Sequence, residues 1–146
     1  MDALSFVQIL VGKMLCYGIK SPDTDLYDFG FSQKKHVDDP WEIPVEEHDL
    51  ILHATCNFDV VCKNGIRRVD KYHADTPCEE FNSEITNIIG LCVKRVAVGT
   101  GNNLWLDFGD YWVVFITFDD GEESWRLFSP IEDGKHLVAT NINLDF

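Results

Sequence analysis

The sequence of 146 residues lacks the features by which membrane and secreted proteins are recognised. No apolar run reaches the roughly 18 residues that a transmembrane helix needs. The N-terminal segment carries Asp2 where a signal peptide has positive charge, and its apolar stretch ends at Lys13 without a small-residue cleavage site. The five cysteines are scattered and contain no C-x-x-C pair, whereas a secreted disulfide scaffold usually has an even and denser set. These absences predict a cytoplasmic protein that does not associate with membranes.

The sequence signatures of the common enzyme classes are also missing. The chain contains no G-x-S-x-G, H-E-x-x-H, phosphate-binding loop or G-x-G-x-x-G. Residue types that bind zinc occur only as mixed pairs, not as the two tight pairs of a structural zinc site; they are His53, Cys56, Cys62, His73 and Cys78. A catalytic thiol would need an electropositive setting, which an acidic chain does not favour. We therefore expect no enzyme, no catalytic residue, no metal and no cofactor.

Basic residues are scarce. Twelve Lys and Arg residues stand against 25 Asp and Glu, which gives a formal net charge of −13. Nucleic acids and anionic membranes bind proteins through lysine and arginine, so neither is an expected partner. An acidic chain is steered toward cationic surfaces, of which basic proteins are the commonest. The alternative is that the charge serves only solubility.

Apolar and aromatic residues concentrate near the C-terminus, in residues 102–141. Three apolar runs, at residues 104–108, 111–118 and 125–128, are separated by short turns of Gly and Asp. This pattern is typical of an antiparallel β-meander in which each turn closes a hairpin. Residues 111–118 are apolar on both faces, so they are predicted to form the central strand, covered on both sides.

The earlier part of the chain predicts further antiparallel strands. Residues 13–19 and 26–31 alternate as two pairing strands, and Gly30 predicts a bulge or a close backbone approach. Asn64-Gly65 is the strongest short hairpin signal in the chain, because both turn positions need a positive φ. It predicts that residues 66–69 pair back on the strand before it.

Two short helices are predicted beside the strands. Residues 2–11 show helical spacing of apolar residues, with Asp2 as the N-cap and Gly12 at the C-terminal end. Residues 83–89 predict a second helix, capped by Ser83 and ended by Gly90. The whole chain, 1–146, is thus predicted to be a single α+β domain: a mainly antiparallel β-sheet with one or two short helices packed on it.

Two acidic connections are the predicted contact with a protein partner. Residues 32–49 contain two prolines that break regular structure, and Trp41 lies between them. The turn at residues 119–123 is the second connection. We expect their carboxylates to meet a basic surface, such as the phosphate-binding cleft of a toxin nuclease, and an exposed aromatic to slow dissociation. The predicted partner-binding residues are Asp38, Asp39, Trp41, Glu42, Glu46, Glu47, Asp119, Asp120, Glu122 and Glu123.

The alternative function is a small-ligand-binding or enzymatic domain. Its pocket would be lined by His53, Cys56, Trp125 and Arg126, where Arg126 is the only base in residues 102–134. Arg126 could instead simply pair with a neighbouring acid. A deep, partly apolar cleft around His53 and Arg126 would favour a ligand. A broad acidic face with exposed aromatics would favour a protein partner.

Short motifs through most of the chain carry a resemblance to a known group of proteins. They are an F-G segment, an L-H-x-x-C segment followed by an aromatic, and a W-R-x-F ending with H-x-V. The residues concerned are Phe29, Gly30, Leu52, His53, Cys56, Phe58, Trp125, Arg126, Phe128, His136 and Val138. In this order the chain resembles an uncharacterised family of small bacterial cytosolic proteins, and these are similar to the immunity proteins of bacterial toxin systems. The resemblance implies an inhibitor of a basic partner and transfers no catalytic or binding residue.

Overall fold

The computed structural model describes residues 1–33, 50–64, 68–130 and 135–146. Its strands form two antiparallel sheets, which confirms the α+β class with mainly antiparallel β-sheet. We name the sheets by their strand number in the described residues. The six-stranded sheet has the order β1 (Lys13–Lys20), β2 (Tyr27–Gln33), β3 (Leu50–Ala54), β9 (Trp125–Phe128), β10 (Leu137–Ala139) and β11 (Leu144–Asp145). The five-stranded sheet has the order β5 (Arg68–Tyr72), β4 (Asn57–Cys62), β8 (Tyr111–Ile116), β7 (Leu104–Asp107) and β6 (Arg95–Val98).

The two sheets pack face to face around an aromatic core. Phe29 of the six-stranded sheet meets Phe58 and Phe115 of the five-stranded sheet, with ring centroids 5.7 and 5.5 Å apart. Tyr27 adds an edge-to-face contact with Phe58 at 4.7 Å. Such edge-to-face pairs stabilise a core beyond the area that they bury. Inward and outward side chains alternate along each strand, so each sheet also has an outer face.

Helix α1 spans Ala3–Gln8 and confirms the first predicted helix. The carboxylate of Asp2 accepts a hydrogen bond from the Ser5 amide at 2.7 Å, as an N-cap does. Gly12 follows with a φ of +87°, a conformation that glycine adopts without strain. Val7 and Leu10 are fully buried, which docks the helix on the core.

The second helix begins earlier than predicted. Helix α2 spans Cys78–Glu84 and continues as a 3₁₀ turn over Ile85–Asn87. Ser83 lies inside it, so the prediction of Ser83 as the N-cap was wrong. Pro77 precedes the helix, and Glu79 and Glu80 in its first turn suit the positive end of the helix dipole. A further 3₁₀ turn covers Thr100–Asn102.

The predicted early strands are confirmed in their pairing. β1 and β2 are antiparallel, with a register shift between Leu15 and Tyr17 opposite Gly30. β4 pairs with β5, which is described from Arg68 and extends to Tyr72, past the predicted end at Val69; Ile66 and Arg67 lie outside the described residues. Gly65 of the predicted turn lies outside the described residues.

The prediction of a single C-terminal meander was wrong, because the strands of this segment divide between the two sheets. β7 and β8 lie in the five-stranded sheet, whereas β9, β10 and β11 lie in the six-stranded sheet. The segment at residues 117–124 is therefore a crossover between sheets and not a hairpin turn. β9 pairs instead with β3, where Leu52 lies opposite Leu127. β8 and β9 both contribute buried side chains to the core, but from different sheets, so the two strands do not pair with each other.

A second crossover lies against the first. The chain passes from β3 in one sheet to β4 in the other at residues 55–56. The amides of Thr55 and Cys56 both donate to the carbonyl of Ser124, at 3.0 and 3.3 Å. Two sheet-changing segments are thus tied together at one end of the sandwich.

Among the described residues, the helices are too short and too polar to cross a lipid bilayer.

Candidate functional site

A cavity of about 260 Å³ opens on the outer face of the six-stranded sheet, at the end where the two crossovers lie. Its walls come from the β1–β2 connection, from β3 and β9, and from the residues that flank β9 and β10. The lining residues are Leu26, His53, Thr55, Glu123, Ser124, Trp125, Arg126, Phe128 and His136. The cavity brings together His53 and Arg126 of the predicted ligand pocket.

Strand register explains why these two side chains meet. His53 lies opposite Asp28 on one side and opposite Arg126 on the other. Directly opposite residues in antiparallel strands project to the same face. Because Leu52 and Leu127 are buried, their neighbours in sequence point outward. We name the cavity together with its lining residues the Arg126 cavity.

The guanidinium of Arg126 makes contacts in two directions. Its Nε and NH2 both donate to Oε1 of Glu123, at 3.0 and 2.6 Å, and its NH1 lies 3.1 Å from Nδ1 of His136. The two side chains of the Arg126–Glu123 pair are 37% and 43% exposed, so solvent screens the interaction. Exposed pairs of this kind contribute about 0–1 kcal/mol to stability. The pair is weak enough to exchange.

The contact with Arg126 determines the tautomer of His136. A guanidinium has only hydrogen-bond donors, so Nδ1 of His136 must accept and its ring proton lies on Nε2. The His136 ring stacks on Phe128 with centroids 4.5 Å apart and planes 2° from parallel. Phe128 in turn meets His53 edge-on at 4.9 Å. Three rings therefore form a continuous aromatic wall beside the guanidinium.

His53 is oriented from the opposite side by Asp28 and Tyr17. Its Nε2 lies 3.5 Å from Oδ1 of Asp28, and the Tyr17 hydroxyl donates to the same oxygen at 3.0 Å. Burial, and then the charge of Asp28, raise the pKa of Tyr17 well above its ordinary value. The phenol therefore stays protonated and serves as a donor to Asp28.

The other two residues of the predicted ligand pocket contribute less. Cys56 lies in the core and does not line the cavity, and burial raises the pKa of its thiol to about 12. A thiol in this environment is not a nucleophile at neutral pH. Trp125 lines the cavity, but its side chain is buried and its indole Nε1 donates to the carbonyl of Asn102 at 2.9 Å.

Within the described ranges, no group of three or more His, Cys, Asp or Glu side chains is arranged to hold a metal ion. The candidate zinc ligands His53, Cys56, Cys62, His73 and Cys78 all lie in those ranges.

The predicted acidic contact residues are only partly described. Asp119, Asp120 and Glu122 are exposed in the crossover after β8, where Oδ1 of Asp120 accepts from the Glu122 amide at 3.0 Å. Glu123 belongs to the Arg126 cavity. The remaining predicted partner-binding residues, Asp38, Asp39, Trp41, Glu42, Glu46 and Glu47, lie outside the described residues.

A second candidate surface was not predicted as a site. The outer face of the five-stranded sheet presents apolar side chains from four strands, and we name it the tryptophan face. Register places Trp105 opposite Val114 and places Val61 between Val69 and Trp112. Two grooves of about 280 and 360 Å³ share the two tryptophans. The polar side chains Asp59 and Asn103 also line the second groove, and the apolar members of this face are Val61, Val69, Trp105, Trp112, Val114 and Ile116.

Several of these side chains are open to solvent. Trp105 is 44% exposed, Val69 43% and Ile116 40%, and Trp112 is half-buried. The sequence did contain the signal, since residues 111–118 are apolar on both faces. We had predicted that both faces of this strand are covered. β8 is central in its sheet as predicted, but its outer face is covered only in part: Val114 is buried, whereas Ile116 is exposed.

An ion-pair network around the buried carboxylate of Asp107 borders the tryptophan face. Asp107 accepts from Lys63 Nζ at 2.7 Å, and from Nε and NH2 of Arg95 at 3.0 and 2.8 Å. The Gly109 amide adds a fourth donor at 2.8 Å. Burial acts to raise the pKa of Asp107, but these donors outweigh it and lower the pKa to about 2. The Lys63 ammonium also lies 4.4 Å from the centre of the Trp112 ring, so the network holds that ring in place.

Comparisons with models of protein families, with curated proteins and with solved structures found no match. The resemblance to immunity-like bacterial proteins therefore stays a prediction. Geometry alone distinguishes the two surfaces: the Arg126 cavity places a guanidinium beside an aromatic wall, whereas the tryptophan face consists of two adjacent apolar grooves.

Proposed function

We propose that the chain is an acidic protein-binding module whose tryptophan face docks on a positively charged protein partner. The observation that carries the proposal is the exposure of Trp105, Val69 and Ile116 on one continuous sheet face. Contiguous exposed apolar patches on small proteins commonly mark interaction sites. Tryptophan is also the residue type most enriched among the side chains that dominate binding energy.

The shape of the face supports a protein partner more than a small ligand. Its two grooves lie on either side of Trp105 and Trp112 and open along the sheet. The Lys63 ammonium, which is paired with Asp107, lies over the Trp112 ring and restricts its motion before binding. A preorganised anchor loses less conformational entropy on association.

Charge selects the kind of partner. A net charge of −13 attracts a basic protein and repels a second copy of this chain. β8 ends at Ile116, and the exposed Asp119 and Asp120 lie three and four residues further on, in the crossover to the other sheet, where they add negative charge. We expect these carboxylates to speed association and the apolar anchors to slow dissociation.

The specific form that we propose is an inhibitor of the immunity-protein kind. Its carboxylates would take the places of substrate phosphates in the basic cleft of a toxin nuclease. The acidic charge and the resemblance of the sequence support this form. A toxin-domain protein encoded beside this gene would be its expected target.

The test is affinity capture from the native cells with the wild-type protein and three variants. Trp105→Ala and Ile116→Ala shorten the tryptophan face, whereas Ile19→Ala is the matched control, since Ile19 is exposed on β1 of the other sheet. We expect the wild type and Ile19→Ala to retain the same basic protein, and both face variants to lose at least ten-fold in affinity. About 1 M salt, where the screening length is about 3 Å, should slow the association.

Three outcomes would contradict the proposal. The face variants would retain the partner as well as Ile19→Ala does, the captured protein would be acidic, or the purified chain would form a dimer through this face. Nuclease inhibition by the wild type and not by Trp105→Ala would support the inhibitor form.

A further inference from the structure

We infer that the Arg126 cavity is a binding site for a small aromatic carboxylate. It lies on the other sheet from the tryptophan face, so the inference does not depend on the proposed function. The donors, the aromatic wall and the weak internal ion pair each support it.

The guanidinium supplies the anion recognition. Arginine matches a carboxylate best when two of its N–H groups meet the two carboxylate oxygens. In this structure both Nε and NH2 of Arg126 donate to Oε1 of Glu123. One carboxylate oxygen therefore accepts both hydrogen bonds from this edge of the guanidinium. An external carboxylate can offer both oxygens to that edge.

Glu123 therefore acts as an internal substitute for the ligand. It lies three residues before Arg126, in the crossover that enters β9, and its side chain is exposed. A screened pair of this kind is readily replaced by a solution anion of better geometry. The contact of NH1 with His136 keeps the guanidinium directed along the aromatic wall while Glu123 leaves.

The wall selects for a ring. The Phe128 ring contacts both His53 and His136, and all three side chains line the cavity together with Leu26. Flat apolar groups pack on such surfaces by edge or offset contacts. The volume of about 260 Å³ lies below the range of drug-sized pockets, so it suits a single-ring molecule.

The negative charge of the protein does not prevent binding. At 0.1 M ionic strength the screening length is about 10 Å, so acids far from the cavity act weakly on its occupant. Once Glu123 is displaced, the Arg126 guanidinium is free to contact the bound carboxylate. Among the described contacts of the cavity residues, the remaining acid is Asp28, which His53 and the Tyr17 hydroxyl contact.

The experiment is a titration of the purified full chain with benzoate at 0.1 M salt. Binding is measured by calorimetry and by the NMR chemical-shift changes of the β9 amides. We expect a dissociation constant of roughly 10 mM, since about nine heavy atoms at the ligand efficiency of drug-sized molecules reach that range. Arg126→Gln should lose binding at least ten-fold. Glu123→Gln should bind about five-fold tighter, because its neutral amide competes less for the guanidinium.

Controls separate this site from general effects. Glu122→Gln removes the same charge one residue away and should leave the affinity unchanged. Arg126→Lys keeps the positive charge without the fork, so it should weaken binding while preserving the fold, even if Arg126→Gln unfolds. Benzamide tests the need for the carboxylate, and inorganic phosphate tests the need for the ring.

The inference is overturned if benzamide or phosphate binds as tightly as benzoate. It is also overturned if Glu123→Gln fails to strengthen binding, or if Arg126→Lys binds as the wild type does. Binding that tightens equally in Glu122→Gln would show a bulk charge effect and would remove Glu123 from its assigned role.

Discussion

Gly30 of β2 lies directly opposite Tyr17 of β1, and the Tyr17 ring occupies the space that a side chain at Gly30 would need. The register of the two strands shifts just before Tyr17, which places the ring over the glycine. The absent side chain is thus part of the packing of Tyr17. Through its hydroxyl, Tyr17 then holds Asp28 beside His53.

Gly30→Ala should destabilise the protein by about 1–3 kcal/mol, the usual cost of forcing extra volume into a packed site. Urea unfolding of the variant measures this loss. In a Tyr17→Ala background the ring is gone, so the same substitution should cost clearly less. Equal costs in both backgrounds would show that the ring is not the cause.

Asp107 should make the stability of the protein depend on acid. Its pKa is lowered from 3.8 to about 2 in the folded state, so its contribution to stability is fully present above about pH 5. The contribution is lost as the pH falls from about 5 through 2, because the unfolded state has the higher pKa and binds the proton first. A shift of about two pKa units corresponds to about 2 kcal/mol, and Asp107 is buried enough for this conversion.

Urea unfolding at pH 5 and at pH 2 checks this prediction. Asp107→Asn should lose about 2 kcal/mol less than the wild type over that interval. Asp110→Asn, which changes an exposed carboxylate in the next turn, should follow the wild type. A wild-type slope in Asp107→Asn would show that other groups cause the acid sensitivity.

Cys56 should resist alkylation in the folded protein. With a pKa of about 12, its thiolate fraction at pH 8 is about one in ten thousand, and the core also excludes the reagent. The half-buried Cys78 serves as the internal comparison. Iodoacetamide labelling followed by mass spectrometry of peptides should show Cys78 modified and Cys56 unmodified until urea is added. Equal labelling in the native state would place Cys56 outside a closed core.

The sequence predicted local structure well because local chemistry determines it. Asp2 caps the N-terminus of α1, and Gly12 follows its C-terminal end with a positive φ. Gly30 lies where the Tyr17 ring approaches so closely that only glycine fits. The partner of a strand is a different matter. β9 pairs with β3, some seventy positions earlier in the chain. The residues within and next to β9 do not determine which strand it pairs with. The Asp- and Gly-rich segment after β8 has the composition of a hairpin turn and yet serves as a crossover.

The candidate sites also divide into features that local sequence predicts and features that depend on long-range strand pairing. His53 and Arg126 were predicted as neighbours, and their register brings them together. Cys56 lies beyond β3, in the crossover, so its position depended on where the strand ends. The contact of Arg126 with His136 arises because β9 and β10 pair, which depends on the whole sheet. Residues 104–108 were predicted as one apolar strand of the meander, and the composition of that run does not show that the Trp105 side chain lies 44% exposed on an outer sheet face.

The two sheets turn their inner faces to each other, and this has a consequence for binding. The tryptophan face and the Arg126 cavity lie on opposite outer surfaces of the sandwich. Occupants of the two proposed sites would therefore be separated by the full thickness of the core and would not touch. Their binding free energies should add with little coupling, since neither occupant alters the surface that the other contacts. The fold thus permits a ternary complex, with a protein held on one side and a small anion on the other.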